Sequence, residues 1–265
     1  MSYSTIALSI ADGVAELTLN RPKSLNSLNK TLIDEVRAAL AALKADDSVR
    51  ALILTGAGRG FCAGADLADS GFPNEEGRSP GQQTAHSMLI GFNPMGLELA
   101  QFPKPVVVAV NGVCAGGGVG LALAGDIVLA GRSAYFVQVF GPKLGIVPDV
   151  GTTWFSPRLI GRARARAMAL LGDRLPAEKA AEWGLILEVH DDDKLMEAAR
   201  AYAARLAKGP RAGFARIKQV LDESLDNTLE QQLEVERLAQ RELCDGPDFR
   251  EGVIAFLQKR DPVFP

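Results

Sequence analysis

The sequence predicts an α/β protein that ends in an all-helical region. Three observations carry this reading. Strand patterns alternate with helical patterns over the first two-thirds of the chain, helical patterns dominate beyond Asp149, and 265 residues with 47% hydrophobic and 23% charged side chains suffice for a core. Disorder is excluded as the main state. With 29 Lys and Arg against 32 Asp and Glu the net charge is -3, so no global positive field gathers nucleic acid or an anionic membrane. Any anionic ligand needs a local site. Three cysteines, an odd and sparse set, argue against a disulfide framework and for a reducing compartment. The only histidines, His86 and His190, are too few and too far apart in sequence for a His-rich zinc site, and no metal is expected.

Taken in order, Ile6, Leu8 and Ile10 alternate with polar or small residues, as do Leu17 and Leu19 after Asp12-Gly13, which predicts a β-hairpin with a tight turn. Over 29–44, Leu32, Ile33, Val36, Leu40 and Leu43 fall at helical spacing. Residues 49–55 read as a strand, 56–64 as a glycine-rich loop, and 70–83 as a polar, mobile stretch. Strands are predicted at 105–110 and 126–130, with a short helix between them starting near Gly117. The run from Pro105 to Gly125 is twenty-one residues without a charge, long enough to cross a bilayer. Its Pro105, Asn111 and six glycines suit a buried strand, loop and helix start instead. Met1-Ser2-Tyr3-Ser4 lacks a basic, apolar leader pattern, so no secretory signal is read and a cytoplasmic location is expected. Helices are predicted over 194–208, stopping at Gly209-Pro210, and from Arg211, Thr228 and Pro247. The chain thus divides into a core over 1–195 and a helical region over 196–265.

Two loops carry chemistry-bearing patterns. Thr55-Gly56-Ala57-Gly58-Arg59-Gly60-Phe61 nearly matches the dinucleotide loop of short-chain dehydrogenases, but Cys62 replaces its final glycine, and the residues four after Tyr3, Tyr135 and Tyr202 are Ala7, Val139 and Leu206. The Tyr-xxx-Lys pair of those enzymes is missing. Phe61-Cys62-Ala63-Gly64-Ala65-Asp66-Leu67 after one strand, and Asn111-Gly112-Val113-Cys114-Ala115-Gly116-Gly117-Gly118 after another, fit a different pattern. With them the sequence resembles the enoyl-CoA hydratase/isomerase family, the crotonase superfamily, from Asn20-Arg21-Pro22 to Phe256-Leu257-Gln258-Lys259-Arg260. The resemblance implies a crotonase fold, a spiral of ββα units whose C-terminal helical region serves oligomerisation as a homotrimer or a dimer of trimers. It implies an acyl-CoA thioester as substrate, with coenzyme A part of that substrate and no separate cofactor, nucleic acid or membrane partner.

A thioester enolate needs two N–H donors converging on one oxygen, and backbone donors need loops free of Cβ interference. By resemblance the donors are Ala65 and Gly117, the latter at a helix start. Hydration in the family resembles a two-carboxylate mechanism, yet Gly120 stands at the position of the first glutamate. The second falls near Val139 or Phe140, where the chain is one residue longer than a typical hydratase. Between Glu98 and Asp149 the only acidic residue is Asp126, at a strand start, so both hydratase acids are absent. Asp149, in Gly145-Ile146-Val147-Pro148-Asp149-Val150-Gly151-Thr152, matches the aspartate that shuttles the proton in double-bond-shifting members; capping the following helix is the alternative role. The segments 136–158 and 161–186 are most similar to phenylacetate-pathway isomerases, which convert 1,2-epoxyphenylacetyl-CoA to oxepin-CoA. Lys23, Ser24 and Leu25 match the stretch lining the nucleotide site, Ala63, Asp66 and Leu67 the adenine-side loop, Gly116 the thioester loop, and Phe256 and Lys259 C-terminal residues that reach coenzyme A, often from a neighbouring subunit. The expected activity is acyl-CoA isomerisation. The alternatives are an enoyl-CoA hydratase of fatty-acid or aromatic-acid degradation, a thioester hydrolase, and a non-catalytic CoA-binding or RNA-binding relative. Cys62, Cys114 and Cys244 are read as small fillers, and Arg158, Arg162, Arg164 and Arg166 as a solvated helix face.

Overall fold

The computed structural model describes residues 3–73 and 76–265. Met1 and Ser2 of the N-terminal segment, and Asn74 and Glu75 of the stretch expected to be mobile, lie outside the described residues. The predicted hairpin forms: β1 (Ile6–Ala11) pairs antiparallel with β2 (Val14–Leu19) around Asp12 and Gly13, whose φ angles of 50° and 77° match the twist of a two-residue turn. Next, α1 (Lys30–Ala45) starts at Asn29, whose side chain accepts from the Leu32 amide, and buries the five apolar residues the spacing predicts.

Three ββα units follow. In the first, β3 (Ala51–Gly56) and β4 (Gly60–Cys62) lead to a helical rod made of α2 (Pro80–Ser87), a π-turn over Met88–Phe92, and α3 (Asn93–Ala100). In the second, β5 (Val106–Val110) and β6 (Val113–Ala115) lead to α4 (Gly117–Leu123). In the third, β7 (Ile127–Gly131) and β8 (Tyr135–Val137) lead to α5 (Thr152–Leu171), which is broken at Gly161. A tail of β9 (Leu175–Pro176), α6 (Ala177–Trp183) and β10 (Glu188–His190) closes the spiral. The first strand of each unit enters a six-stranded sheet, order β1-β2-β3-β5-β7-β10, and the second a four-stranded sheet, order β4-β6-β8-β9. All pairings are parallel except β1 with β2 and β8 with β9. This is the implied spiral of ββα units.

The six-stranded sheet is covered on both faces, which is why its strands read as unbroken apolar runs. Leu52, Leu54, Val106, Val108 and Val110 face the main core together with α1 and α4. Their neighbours Ala51, Ile53, Val107 and Ala109 face α7 (Leu195–Ala207), which lays Leu195, Ala199 and Ala203 on them. Three more helices follow, α8 (Arg211–Glu223), α9 (Leu229–Cys244) and α10 (Pro247–Gln258), starting where the sequence places them. Lys218 on α8 is tied to the core by donating Nζ to the Phe102 and Lys104 carbonyls and to Asp126 Oδ2, at 2.6, 3.2 and 2.8 Å.

Three expectations are corrected. The glycine-rich loop contains β4, because Gly60 and Cys62 find partners in Val113 and Cys114. Part of the stretch read as mobile is helical, since Ser79 and Gln82 form a capping box and Pro80 opens α2. The region beyond Asp149 is not purely helical: β9 and β10 join the sheets through β8 and β7, pairings that their own two and three residues do not announce.

Candidate active site

The two glycine-bearing loops meet beneath the Asp149 loop. Leu28 and Ala65 form a parallel bridge in which the Leu28 amide donates to the Gly64 carbonyl (2.7 Å) and the Asp66 amide to the Leu28 carbonyl (3.0 Å). In that pattern Ala65 turns its own N–H and C=O to the opposite side, away from Leu28. Gly116 precedes α4 and donates to the Val137 carbonyl at 3.0 Å, while Gly117 opens the helix with a first-turn N–H that has no intrahelical acceptor. The loops approach closely at Gly64, where φ is +89° and a Cβ would lie 3.2 Å from the Gly117 nitrogen. Glycine there keeps that N–H open. The backbone therefore presents two donors, Ala65 and Gly117, from adjacent loops.

Asp149 stands over the second of them. A Cβ on Gly117 would lie 2.9 Å from Asp149 Oδ1 and 3.1 Å from Val150 Cγ2. Oδ1 is buried without a hydrogen-bond partner, and burial raises the carboxyl to about 6, the residue's own backbone N–H pulling weakly the other way. Asp149 does not cap α5. The N-cap is Gly151, and Asp149 contributes only its carbonyl, to the Thr152 amide at 3.0 Å. The next residue, Val150, is buried with φ at +48°, a strained backbone for a β-branched side chain that aims the carboxylate at α4.

Neither hydratase acid has a counterpart. A Cβ on Gly120 would lie 2.1 Å from the Val150 carbonyl oxygen, so the Asp149 loop fills the space a glutamate would need. Val139 is half-buried, and Phe140 is buried with its ring against Gly116. Cys62 lies under the start of α4, and burial pushes its thiol up to about 12, as suits a filler. Cys114 is equally buried, whereas Cys244 is exposed. Of the arginine face, Arg158 stacks on Trp154 and Arg164 on Trp183, while Arg162 and Arg166 are exposed.

The residues matched to coenzyme A fall into three groups. Lys23, Ser24 and Leu25 form the turn after Pro22, with Lys23 exposed and the Leu25 carbonyl accepting from the Ala63 amide at 3.0 Å. Ala63 and the exposed Leu67 flank the Ala65 donor on that same surface, and Gly116 flanks the Gly117 donor. The Asp66 carboxylate is spent inside the chain. Oδ2 accepts from Arg21 Nη1 and Ser27 Oγ, both at 2.9 Å, and Oδ1 from the Ala68 and Asp69 amides. Burial raises this carboxyl, but those hydrogen bonds outweigh it and hold it below the usual range. Phe256 and Lys259 lie on and just after α10, a helix that packs on α9, and no hydrogen bond joins them to the two loops among the described residues. Arg21 and Ser27, which clamp Asp66, and Asn26, which donates to the Ala57 and Gly60 carbonyls, are the residues that sequence reasoning missed. The crowding of polar residues over 20–29 was the available signal, but partners up to 45 positions away were not legible.

Residues 9–265 match the family model for enoyl-CoA hydratase/isomerase, and the chain belongs to that family. It is 49% identical over 255 residues, 96% of each chain, to the 1,2-epoxyphenylacetyl-CoA isomerase of Escherichia coli K12. It is 44% identical over 264 residues to a protein of Rhodobacter capsulatus named a probable enoyl-CoA hydratase, covering 100% of this chain and 99% of that one. The fold superimposes on the crystal structure of an enoyl-CoA hydratase from Bacillus anthracis with a TM-score of 0.91 at 33% identity, over 98% and 99% of the two chains. The crotonase fold is thereby shown. Both activities occur among the names of relatives, so the choice between them rests on the site.

Proposed function

We propose that the protein is an acyl-CoA isomerase that shifts a double bond, or opens a ring epoxide as in the conversion of 1,2-epoxyphenylacetyl-CoA to oxepin-CoA, through a thioester enolate. The observation that carries the reading is a carboxylate, Asp149, whose buried Oδ1 has no hydrogen-bond partner, beside two open backbone donors, in a site whose Gly120 position cannot hold a second acid. In this reaction the Ala65 and Gly117 N–H groups hold the thioester oxygen. In the double-bond shift Asp149 takes a proton from C2, the C2–H electrons form a C1–C2 double bond as the C1–O π pair moves onto oxygen, and on collapse of this enolate the C1–O double bond reforms, the double bond moves to C2–C3 and the former C3–C4 pair takes the proton back at C4. Each donor lowers the barrier by about 3 kcal/mol, because it is aimed before charge develops. Hydration is disfavoured, since one carboxylate cannot both activate a water and protonate the neighbouring carbon. Lys23, Ser24, Leu25, Ala63, Leu67 and Gly116 line the coenzyme A path, with Asp66 contributing through the shape of its loop. Phe256 and Lys259 join from a second copy in a homotrimer or dimer of trimers.

The test is a panel of straight-chain and aromatic acyl-CoA thioesters followed by mass spectrometry and NMR, with native protein and Asp149→Asn. Isomerisation without mass change, lost by at least a hundredfold in the variant while thioester affinity is kept, is the expected outcome. A product heavier by one water, or turnover surviving the substitution, sinks the assignment.

A further inference from the structure

The structure places an aromatic ring at the thioester end of the site by means of a distorted turn. After β8 the chain makes a π-turn, Phe140–Leu144, closed by the Gly145 amide on the Phe140 and Gly141 carbonyls and by the Ile146 amide on the Phe140 carbonyl at 3.2 Å. A π-turn accommodates one residue more than a regular helical turn. The wide turn carries Phe140 inward, to 5% exposure. Phe140 is buried, but it belongs to neither of the two contiguous core clusters. The same holds for Ala115 and Val137, and the Phe140 ring lies against Gly116, where a Cβ would meet Cζ at 3.5 Å. Gly116 carries Phe140 on one side and Gly117 carries Asp149 on the other, so ring and carboxylate flank consecutive residues of the donor loop.

We infer that Phe140 is a specificity-determining residue that keeps water from the reacting carbons, so that the proton lifted by Asp149 is returned to the same substrate rather than exchanged. This rests on the proposed isomerisation. A protonated carboxyl exchanges with solvent as soon as water can hydrogen-bond to it, and an enolate with water at hand is open to hydration or to protonation from solvent. A ring over the donor loop removes that water, which agrees with an Asp149 Oδ1 that is buried and unpartnered. No atom is added or lost: the proton leaves C2, resides on Asp149 and arrives at C4.

The experiment is isomerisation of a 3-enoyl-CoA in D2O, quenched at low conversion, with the deuterium content of the 2-enoyl product read by mass spectrometry. The readout is a fraction per turnover, which a merely structural loss of rate does not move. Native protein is expected to return protium in most turnovers. Phe140→Ala is expected to raise the deuterated fraction at least threefold, and Phe140→Leu, a second variant that keeps an apolar side chain, to restore a low fraction. Full deuteration by native protein, or a fraction unmoved in both variants, overturns the inference while leaving isomerisation standing. Absence of isomerisation in the native protein overturns the parent reading and this one with it.

Discussion

Asp149 is where chemistry and stability conflict. Its carboxyl titrates near 6 in the folded chain because burial opposes the charge, against an ordinary value of 3.8 when unfolded. In the proposed isomerisation the charged form is the base, so kcat/KM is expected to fall about tenfold per unit as pH drops below 6, a profile that an Asp149→Glu or →Asn variant must alter. For stability the sign is opposite. A raised folded pKa favours folding fully only below the unfolded value, and that contribution is lost as pH climbs from about 4 to about 6. Asp149→Asn should therefore stabilise the protein by about 3 kcal/mol at pH 8, with the gain vanishing near pH 3.5, as thermal melts at the two pH values would read. Equal melting temperatures at pH 8 would refute the desolvated carboxylate. The residue was legible because no other acid but Asp126 stands between Glu98 and Asp149. Its strained support at Val150 was not, since a positive φ on valine has no signature in the sequence.

At the scale of elements, strand and helix patterns were legible wherever one element supplies its own periodicity. The hairpin, α1 and α4 are of this kind, each specified by turn residues, apolar spacing or a glycine start. β10 is not: its three half-buried residues become a strand only by pairing with β7. The clamp of Arg21, Ser27 and Asp66 is similar, since its register depends on the approach of two loops rather than on either loop. On the far face of the sheet, Ala199 and Ala203 stand one turn apart on α7 with no exposed surface, and their small size sets the distance to Ile53, Val107 and Ala109. Ala203→Leu should lower stability by about 1–3 kcal/mol in urea titration through overpacking, and an unchanged midpoint would show that α7 is free to shift.

Across the whole molecule, α8, α9 and α10 leave an apolar groove of about 570 Å³ bordered by Leu243, Phe249, Val253, Phe256 and Leu257, and Leu221, Leu229 and Leu233 on α8 and α9, with Leu225 in the turn between them, are exposed. A patch of this kind on a chain of net charge -3 needs cover. Light scattering is expected to give three or six times the chain mass, and Val253→Asp to shift it toward the monomer; a native monomer would remove the oligomer from the proposal. No helix among the described residues is long and apolar enough to cross a membrane, so the uncharged run from Pro105 to Gly125 is a strand, a loop and a helix inside the core. By itself the sequence determined the α/β class and the scarcity of acids before Asp149, because these depend on residue type and local spacing, while the spiral and the two donor loops were implied by its resemblance to the family. Tertiary structure alone decided that burial raises the Asp149 carboxyl, that Val150 closes the space at Gly120, and that Phe140 turns inward. Burial and close approach belong to atoms brought together from distant parts of the chain, and no local pattern encodes them.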